Sequence, residues 1–149
     1  MNKSIIIDVC TILDYMLPHR KEHEKAKSAF SILLSKSIKV SMPAHGFCEF
    51  KSAIICEYKN KQGVLVRTDI DLPDIAILAI DESFVVNEFI PSLNSHGIID
   101  LKSADMIYVV KAISTGSIIL TQDKKMLSKA NTLVDGLAVN YDSFIQLYA

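Results

Sequence analysis

The feature that most constrains the fold is a regular alternation of short apolar runs with longer segments of helical periodicity. Five runs have the length and composition of buried strands, and they cover residues 3–7, 38–41, 75–80, 117–121 and 137–139. Helical spacing of apolar residues follows over 11–17, 20–35, 43–58, 81–97, 103–115, 124–131 and 143–148. Such alternation predicts an α/β fold, a three-layer sandwich with a mainly parallel central sheet of about five strands.

Local signals predict where several of these elements begin and end. Pro43 is expected at the first position of a helix, where its missing N–H has no partner to lose. Ser103 is expected to cap a helix that stops just before Gly116. Residues 64–74 contain three aspartates and a proline, which predicts a loop or an edge segment.

The length of 149 residues predicts one domain covering 1–149. Hydrophobic residues make up 50% of the chain, which excludes disorder, but no apolar run approaches the roughly 20 residues that span a bilayer. The amino terminus has no signal-peptide pattern, so we expect a cytoplasmic protein without membrane contact. Cys10, Cys48 and Cys56 form no CxxC pair, and we expect them to be small hydrophobic residues at or near the core.

Charge is distributed unevenly along the chain although the net charge is only −1. Residues 1–67 carry 11 Lys and Arg against 6 Asp and Glu, whereas residues 68–149 carry 5 against 11. A net charge near zero argues against an indiscriminate nucleic-acid binder. The two halves could hold a polyanion and a cation at different places, or simply form two solvated faces of opposite sign.

Four acidic residues occupy positions that a parallel sheet would bring to one edge. Asp8 and Asp123 follow the first and fourth predicted strands, while Glu49 and Asp105 lie in the helices expected to cross that edge. Two carboxylates about 4 Å apart repel by roughly 4 kcal/mol at an effective dielectric constant of 20, so a cation is expected among them. Oxygen ligands favour Mg²⁺ or Mn²⁺.

These acids stand in sequence fragments that resemble one family. The fragments are Ile5-Ile6-Ile7-Asp8-Val9-Cys10-Thr11, Pro43-Ala44-His45-Gly46-Phe47-Cys48-Glu49, Ser103-Ala104-Asp105 and Thr121-Gln122-Asp123. In this order they resemble the PIN-domain nucleases, and particularly the toxin ribonucleases of VapC type. The resemblance implies a metal-dependent endoribonuclease, with Asp8, Glu49, Asp105 and Asp123 as catalytic and metal-binding residues and with Thr121 and Thr11 in support. It also implies a toxin that has an antitoxin partner and forms a homodimer.

Basic residues near the acids are candidates for contacts with RNA phosphates. We single out Lys51, two residues after Glu49, together with Lys102 and Lys124, which stand close to Asp105 and Asp123 in the chain. Solvated helix faces explain most of the other lysines and arginines.

Several alternatives remain open at this point. A PIN-like fold could serve as an inactive RNA- or protein-binding module, or as a stand-alone RNA-processing nuclease. A receiver-type signalling domain is disfavoured because no acid adjoins Asp8. His19 and His23 could form a zinc pair, although solvated positions at a helix start are the simpler interpretation. Asp14 is expected in an exposed turn, and Asp100 is expected to be at most an outer contributor to the acidic site.

Overall fold

The computed structural model describes residues 4–62, 74–96 and 100–149. Its centre is a sheet of five strands, β1 (Ile5–Ile7), β2 (Val40–Pro43), β3 (Ile75–Leu78), β4 (Ile118–Leu120) and β5 (Ala138–Val139). The strand order is β3-β2-β1-β4-β5, and all four pairings are parallel. The predicted α/β fold with a parallel sheet is therefore confirmed.

Helices cover both faces of this sheet. They are α1 (Val9–Met16), α2 (His23–Ser35), α3 (Ala44–Gln62), α4 (Glu82–Phe84), α5 (Ile90–His96), α6 (Ser103–Thr115), α7 (Lys124–Leu133) and α8 (Tyr141–Tyr148), with a π-helical turn at Val85–Phe89 between α4 and α5. Within the described ranges, no helix is both long enough and apolar enough to cross a membrane.

The two faces of β1 belong to two different parts of the core. Ile5 and Ile7 pack with residues of α1, α2, α3 and α8, whereas Ile6 packs with residues of α6 and α7. Successive side chains of a strand point to opposite faces, so this division follows from the pleat. All three isoleucines are fully buried. The central position of β1 fixes the residue that follows it, Asp8, in the middle of one edge of the sheet.

Some sequence-based boundaries and environments were wrong. Pro43 ends β2 instead of starting a helix, and Ser103 is the first residue of α6, after Lys102, which caps that helix without a side-chain bond. The run 75–80 forms a half-exposed edge strand of four residues, with Ile77 54% exposed. The predicted stop at Gly116 is confirmed, since its φ of 64° is the left-handed conformation that glycine tolerates.

Two predictions about buried residues were also wrong. Cys10, Cys48 and Cys56 are free and exposed, so none of them contributes to the core. Asp14, expected in an exposed turn, is buried and bound by two donors: Arg20 Nε lies 2.5 Å from one carboxylate oxygen and the Tyr141 hydroxyl lies 3.0 Å from the other. The predicted loop at 64–74 lies almost entirely outside the described residues.

Candidate active site

A small cleft opens at the carboxyl ends of β1 and β4. Its volume is about 110 Å³. The residues that line it are Asp8, Val9, Cys10, His45, Glu49, Ala104, Asp105, Tyr108, Asp123 and Met126. The structure thus brings the four predicted acids, which come from four separate segments of the chain, to one cleft.

Asp8 is the buried acid of the cleft. It directly follows β1 and caps the amino terminus of α1, where one of its carboxylate oxygens accepts a hydrogen bond of 2.7 Å from the backbone N–H of Thr11. The Thr11 hydroxyl also lies 2.7 Å from that oxygen, and the Thr121 hydroxyl donates to the other. Burial raises the pKa of Asp8, while the bonds from the two threonines lower it. Thr11 and Thr121 therefore fix the orientation of this carboxylate.

The Thr121 hydroxyl also connects Asp8 with Asp123. It accepts a hydrogen bond of 3.0 Å from the backbone N–H of Asp123. Asp123 in turn caps α7, with one carboxylate oxygen 2.7 Å from the N–H of Met126. An acid at the amino terminus of a helix is stabilised by the partial positive charge there. The Thr121-Gln122-Asp123 segment is thus a fixed link between the end of β4 and the start of α7.

Glu49 and Asp105 reach the cleft from the helices α3 and α6. The Glu49 side chain is exposed, and Asp105, in the first turn of α6, is half-buried. Burial raises the pKa of Asp105, and the negative charge of Asp123 raises it further, whereas Lys102 lowers it. The two carboxylates line the same cleft, and the charge of Asp123 disfavours the charged form of Asp105.

Two further side chains line the cleft, Tyr108, which the sequence analysis missed, and His45, whose position one turn before Glu49 is compatible with the cleft or with a helix start. The hydroxyl of Tyr108 and the Nδ1 atom of His45 are both buried, and neither has a hydrogen-bond partner among the described residues. Burial and the negative charges of Asp8, Glu49 and Asp105 raise the pKa of Tyr108, so its hydroxyl is protonated at neutral pH. The available signal was the spacing, because Tyr108 follows Asp105 by three residues and shares its helix face.

The three lysines singled out for RNA contact lie in different surroundings. Lys102 immediately precedes α6 and acts electrostatically on Asp105. The Lys51 ammonium lies over the rings of Phe47 and Phe50, at 5.4 and 5.5 Å from their centres. Lys124 lines a separate pocket formed by α7, β5 and α8. Of the three, Lys102 has the clearest connection with the acidic cleft.

The remaining candidate residues have partners elsewhere. His19 Nε2 lies 3.0 Å from a Glu57 carboxylate oxygen, and His23 Nδ1 lies 2.8 Å from the Asp14 carbonyl oxygen. These separate contacts do not form a zinc site. Asp100 forms an ion pair of 3.3 Å with Lys125.

Comparison with known proteins identifies the family. The sequence model of the family described as PIN domain matches residues 5–132, which is most of the chain. The chain belongs to the PIN domain family. PIN domains are generally nucleases and usually use divalent metal ions. No curated protein matches the sequence.

The fold of this PIN domain recurs in a solved structure of low sequence identity. The crystal structure of PAE2754 from Pyrobaculum aerophilum superposes with a TM-score of 0.61 over 99% of this chain and 90% of that one, at 14% identity. At this identity the likeness concerns the fold alone.

The cleft of this PIN domain is better suited to a divalent ion that keeps several of its waters than to an ion bound by protein ligands alone. Its acidic residues offer carboxylate oxygens, which Mg²⁺ and Mn²⁺ prefer. It also contains two buried polar atoms that have no hydrogen-bond partner in the part of the chain that the structure describes. Within the ranges 4–62, 74–96 and 100–149, no three His, Cys, Asp or Glu side chains converge closely enough to hold an ion directly. Mg²⁺ usually keeps several of its waters, which would fill such gaps.

Proposed function

We propose that this PIN domain is a divalent-metal-dependent endoribonuclease that hydrolyses RNA phosphodiesters at the acidic cleft. The observation that carries the proposal is the convergence of Asp8, Glu49, Asp105 and Asp123 at the carboxyl ends of the central strands. The carboxyl edge of a parallel sheet is where α/β proteins bind their ligands. We propose these four acids as the catalytic and metal-binding residues, with Mg²⁺ or Mn²⁺ as the cofactor.

The roles follow from how firmly each side chain is held. Asp8 is fixed by Thr11 and Thr121, which makes it suited to bind the ion in one orientation. Asp105 lies in the first turn of α6 and Asp123 caps α7, and both supply the further negative charge that a divalent ion requires.

Glu49 is the most suitable residue to orient the attacking water. Its exposed carboxylate extends from α3 with no hydrogen bond within the described part of the chain that would hold it in place. A divalent ion, when bound, polarises a phosphodiester and lowers the pKa of the water that attacks it. We propose that Lys102, and in the same role Lys51 and Lys124, contact flanking phosphates of the RNA.

The biological role rests on the resemblance to toxins of VapC type. We propose that the protein is the toxin of a toxin–antitoxin pair, that it forms a homodimer and that an antitoxin protein inhibits it. We further propose that it acts in the cytoplasm, where free thiols such as those of its three cysteines persist and RNA substrates are present.

The nuclease proposal is tested by incubating the purified protein with a mixed panel of structured RNAs in Mg²⁺, in Mn²⁺ and in EDTA. Asp105→Asn is the informative variant, because it removes a charge at almost constant size. Asp135→Asn is its matched control, since Asp135 is exposed near the start of β5, at the opposite edge of the sheet. We expect metal-dependent cleavage by the wild type and the control, and at least a hundredfold loss in Asp105→Asn.

Other outcomes would support different roles. RNA binding without cleavage by the folded protein in any metal would indicate an inactive binding module and refute the nuclease proposal. To separate a toxin from a stand-alone RNA-processing enzyme, expression in a bacterial host should arrest growth with the wild type and not with Asp105→Asn. Active nuclease without growth arrest would leave the RNA-processing role.

A further inference from the structure

The Tyr108 hydroxyl has no hydrogen-bond partner within the described residues although it is buried against the acidic cleft. The side chain is only 4% exposed, and it lines the cleft together with the four acids. A phenylalanine would fill the same space without burying an unbonded hydroxyl, and such a burial costs free energy in the folded state. The hydroxyl therefore requires a hydrogen-bond partner that the described residues do not supply.

The neighbouring helix makes room for this hydroxyl. Gly46 lies in the first turn of α3, and a Cβ atom at that position would stand only 2.0 Å from the Tyr108 oxygen. The absence of a side chain at Gly46 thus permits the hydroxyl to occupy its place. The overlap would involve mainly the oxygen, since the ring carbon that bears it, Tyr108 Cζ, would be 3.0 Å from that Cβ atom.

A second buried polar atom lies in the adjacent side chain, that of His45. The His45 ring packs edge-on against the Tyr108 ring, with the centres 5.2 Å apart. His45 Nε2 lies 3.1 Å from the carbonyl oxygen of Ala104, which can only accept, so Nε2 carries the proton. In the Nε2–H tautomer Nδ1 is an acceptor, and it too is buried without a partner among the described residues.

The chemistry of these two atoms indicates what they bind. A tyrosine oxygen and an unprotonated histidine nitrogen both accept hydrogen bonds, and a water bound to a divalent cation is a strong donor. A cleft of about 110 Å³ has room for an ion with several waters but is far smaller than the roughly 300–1,000 Å³ of typical organic-ligand pockets. The buried end of the cleft therefore suits a hydrated ion and not a nucleotide.

We propose that Tyr108 is a positioning residue whose hydroxyl hydrogen-bonds a water in the hydration shell of the divalent ion, with His45 Nδ1 as a second acceptor for that shell. This inference rests on the proposed function. Tyr108 does not bind the ion directly; it orients one of the waters that bridge the ion to the cleft wall. Residues that orient the ligands of a metal typically change its affinity tenfold to a hundredfold when they are replaced.

The test is the affinity of the purified full chain for Mn²⁺ alone, measured by electron paramagnetic resonance and calorimetry without RNA. Tyr108→Phe removes only the hydroxyl. Tyr148→Phe is the matched control, because that ring stacks on Phe144 in α8 and does not line the cleft. We expect Tyr108→Phe to weaken Mn²⁺ binding at least tenfold and the control to bind as the wild type does.

Unfolding by urea in EDTA separates this role from a purely structural one. We expect metal-free Tyr108→Phe to be at least as stable as the wild type, because the unbonded hydroxyl is gone. A variant that binds Mn²⁺ within twofold of the wild type would overturn the inference while leaving the nuclease proposal intact. A wild type that binds no Mn²⁺ would overturn both the inference and the metal-dependent mechanism.

Discussion

The close approach of Gly46 to Tyr108 predicts a strong energetic coupling between α3 and α6. In Gly46→Ala the new methyl group would overlap the Tyr108 oxygen, 2.0 Å from the ideal Cβ position, and would stand 3.4 Å from Met42 Cγ. Tyr108 and Met42 are 4% and 0% exposed, so neither can move into solvent without loss of packing. Overpacking of this kind costs about 1–3 kcal/mol.

Two opposing effects set the net change. Replacing glycine by alanine within a helix stabilises the fold by about 0.5–1 kcal/mol, so Gly46→Ala should destabilise the wild type by about 1–2 kcal/mol. In a Tyr108→Phe background the overlapping oxygen is absent, and the nearest ring carbon at 3.0 Å needs to shift by only a few tenths of an ångström. There we expect Gly46→Ala to be nearly neutral, because the helical gain offsets the remaining crowding.

The assay is a double-mutant cycle of urea denaturation, followed by circular dichroism in EDTA, on the wild type, the two single variants and the double variant. The expected coupling between positions 46 and 108 is about 1–2 kcal/mol. Equal destabilisation by Gly46→Ala in both backgrounds, to within about 0.5 kcal/mol, would refute the idea that the glycine makes room for the hydroxyl. A Gly46→Ala variant more stable than the wild type would refute it as well.

Three further predictions concern the cleft and the core beside it. Burial raises the pKa of Asp8 above its ordinary value of 3.8, so the folded state binds the proton of this carboxyl group more tightly than the unfolded state does. The free energy of unfolding of the metal-free protein should therefore decrease as the pH rises from about 3.8 through the pKa of the folded state. Asp8→Asn should remove this decrease in urea titrations across pH 3–8; parallel curves for variant and wild type would contradict it. Tyr141→Phe deletes the 3.0 Å hydrogen bond to the buried carboxylate of Asp14 and should lower the free energy of unfolding by about 1.5–3 kcal/mol, measured by urea denaturation. A decrease below about 0.5 kcal/mol would show that the bond contributes little to stability. Lys102→Gln in a cleavage-deficient background should reduce the slope of log affinity for RNA against log salt concentration by about 0.7, which is more than Lys51→Gln should reduce it. An equal effect of the two substitutions would contradict the special role of Lys102.

The fold could be predicted because its determinants are local. Ile5-Ile6-Ile7 and Ile118-Ile119-Leu120 are apolar runs short enough for strands, and helical periodicity separates them. The burial of β3 was mispredicted for a different reason. Whether a strand lies at the centre or the edge of a sheet depends on strand order, which the composition of the run 75–80 does not encode.

The acidic cleft could be predicted only in part, because some of its residues are placed by the ends of strands and others by the packing of helices. Asp8 and Asp123 follow strands, and parallel strands place their carboxyl ends at the same edge. Glu49 and Asp105 depend on how α3 and α6 cross that edge, which the parallel-sheet argument left conditional and the family resemblance supported. The environment of Asp14 was missed because the Tyr141 hydroxyl comes from a position 127 residues later in the chain.

The same contacts that shape the cleft make it costly in the absence of a cation. Burial disfavours the charge on Asp8, burial and the charge of Asp123 disfavour the charge on Asp105, and Tyr108 lacks a hydrogen-bond partner among the described residues. A ligand that binds only the folded state stabilises it by RT ln(1 + [L]/Kd), about 2.7 kcal/mol when its concentration is a hundred times Kd. If a divalent ion relieves these three costs together, substitutions that remove any one of them should make the metal-free protein at least as stable while reducing its stabilisation by Mn²⁺. An unchanged or higher free energy of unfolding without metal, together with a smaller increase on adding Mn²⁺, distinguishes a site organised around an ion from acids that have no ligand at the edge of the sheet.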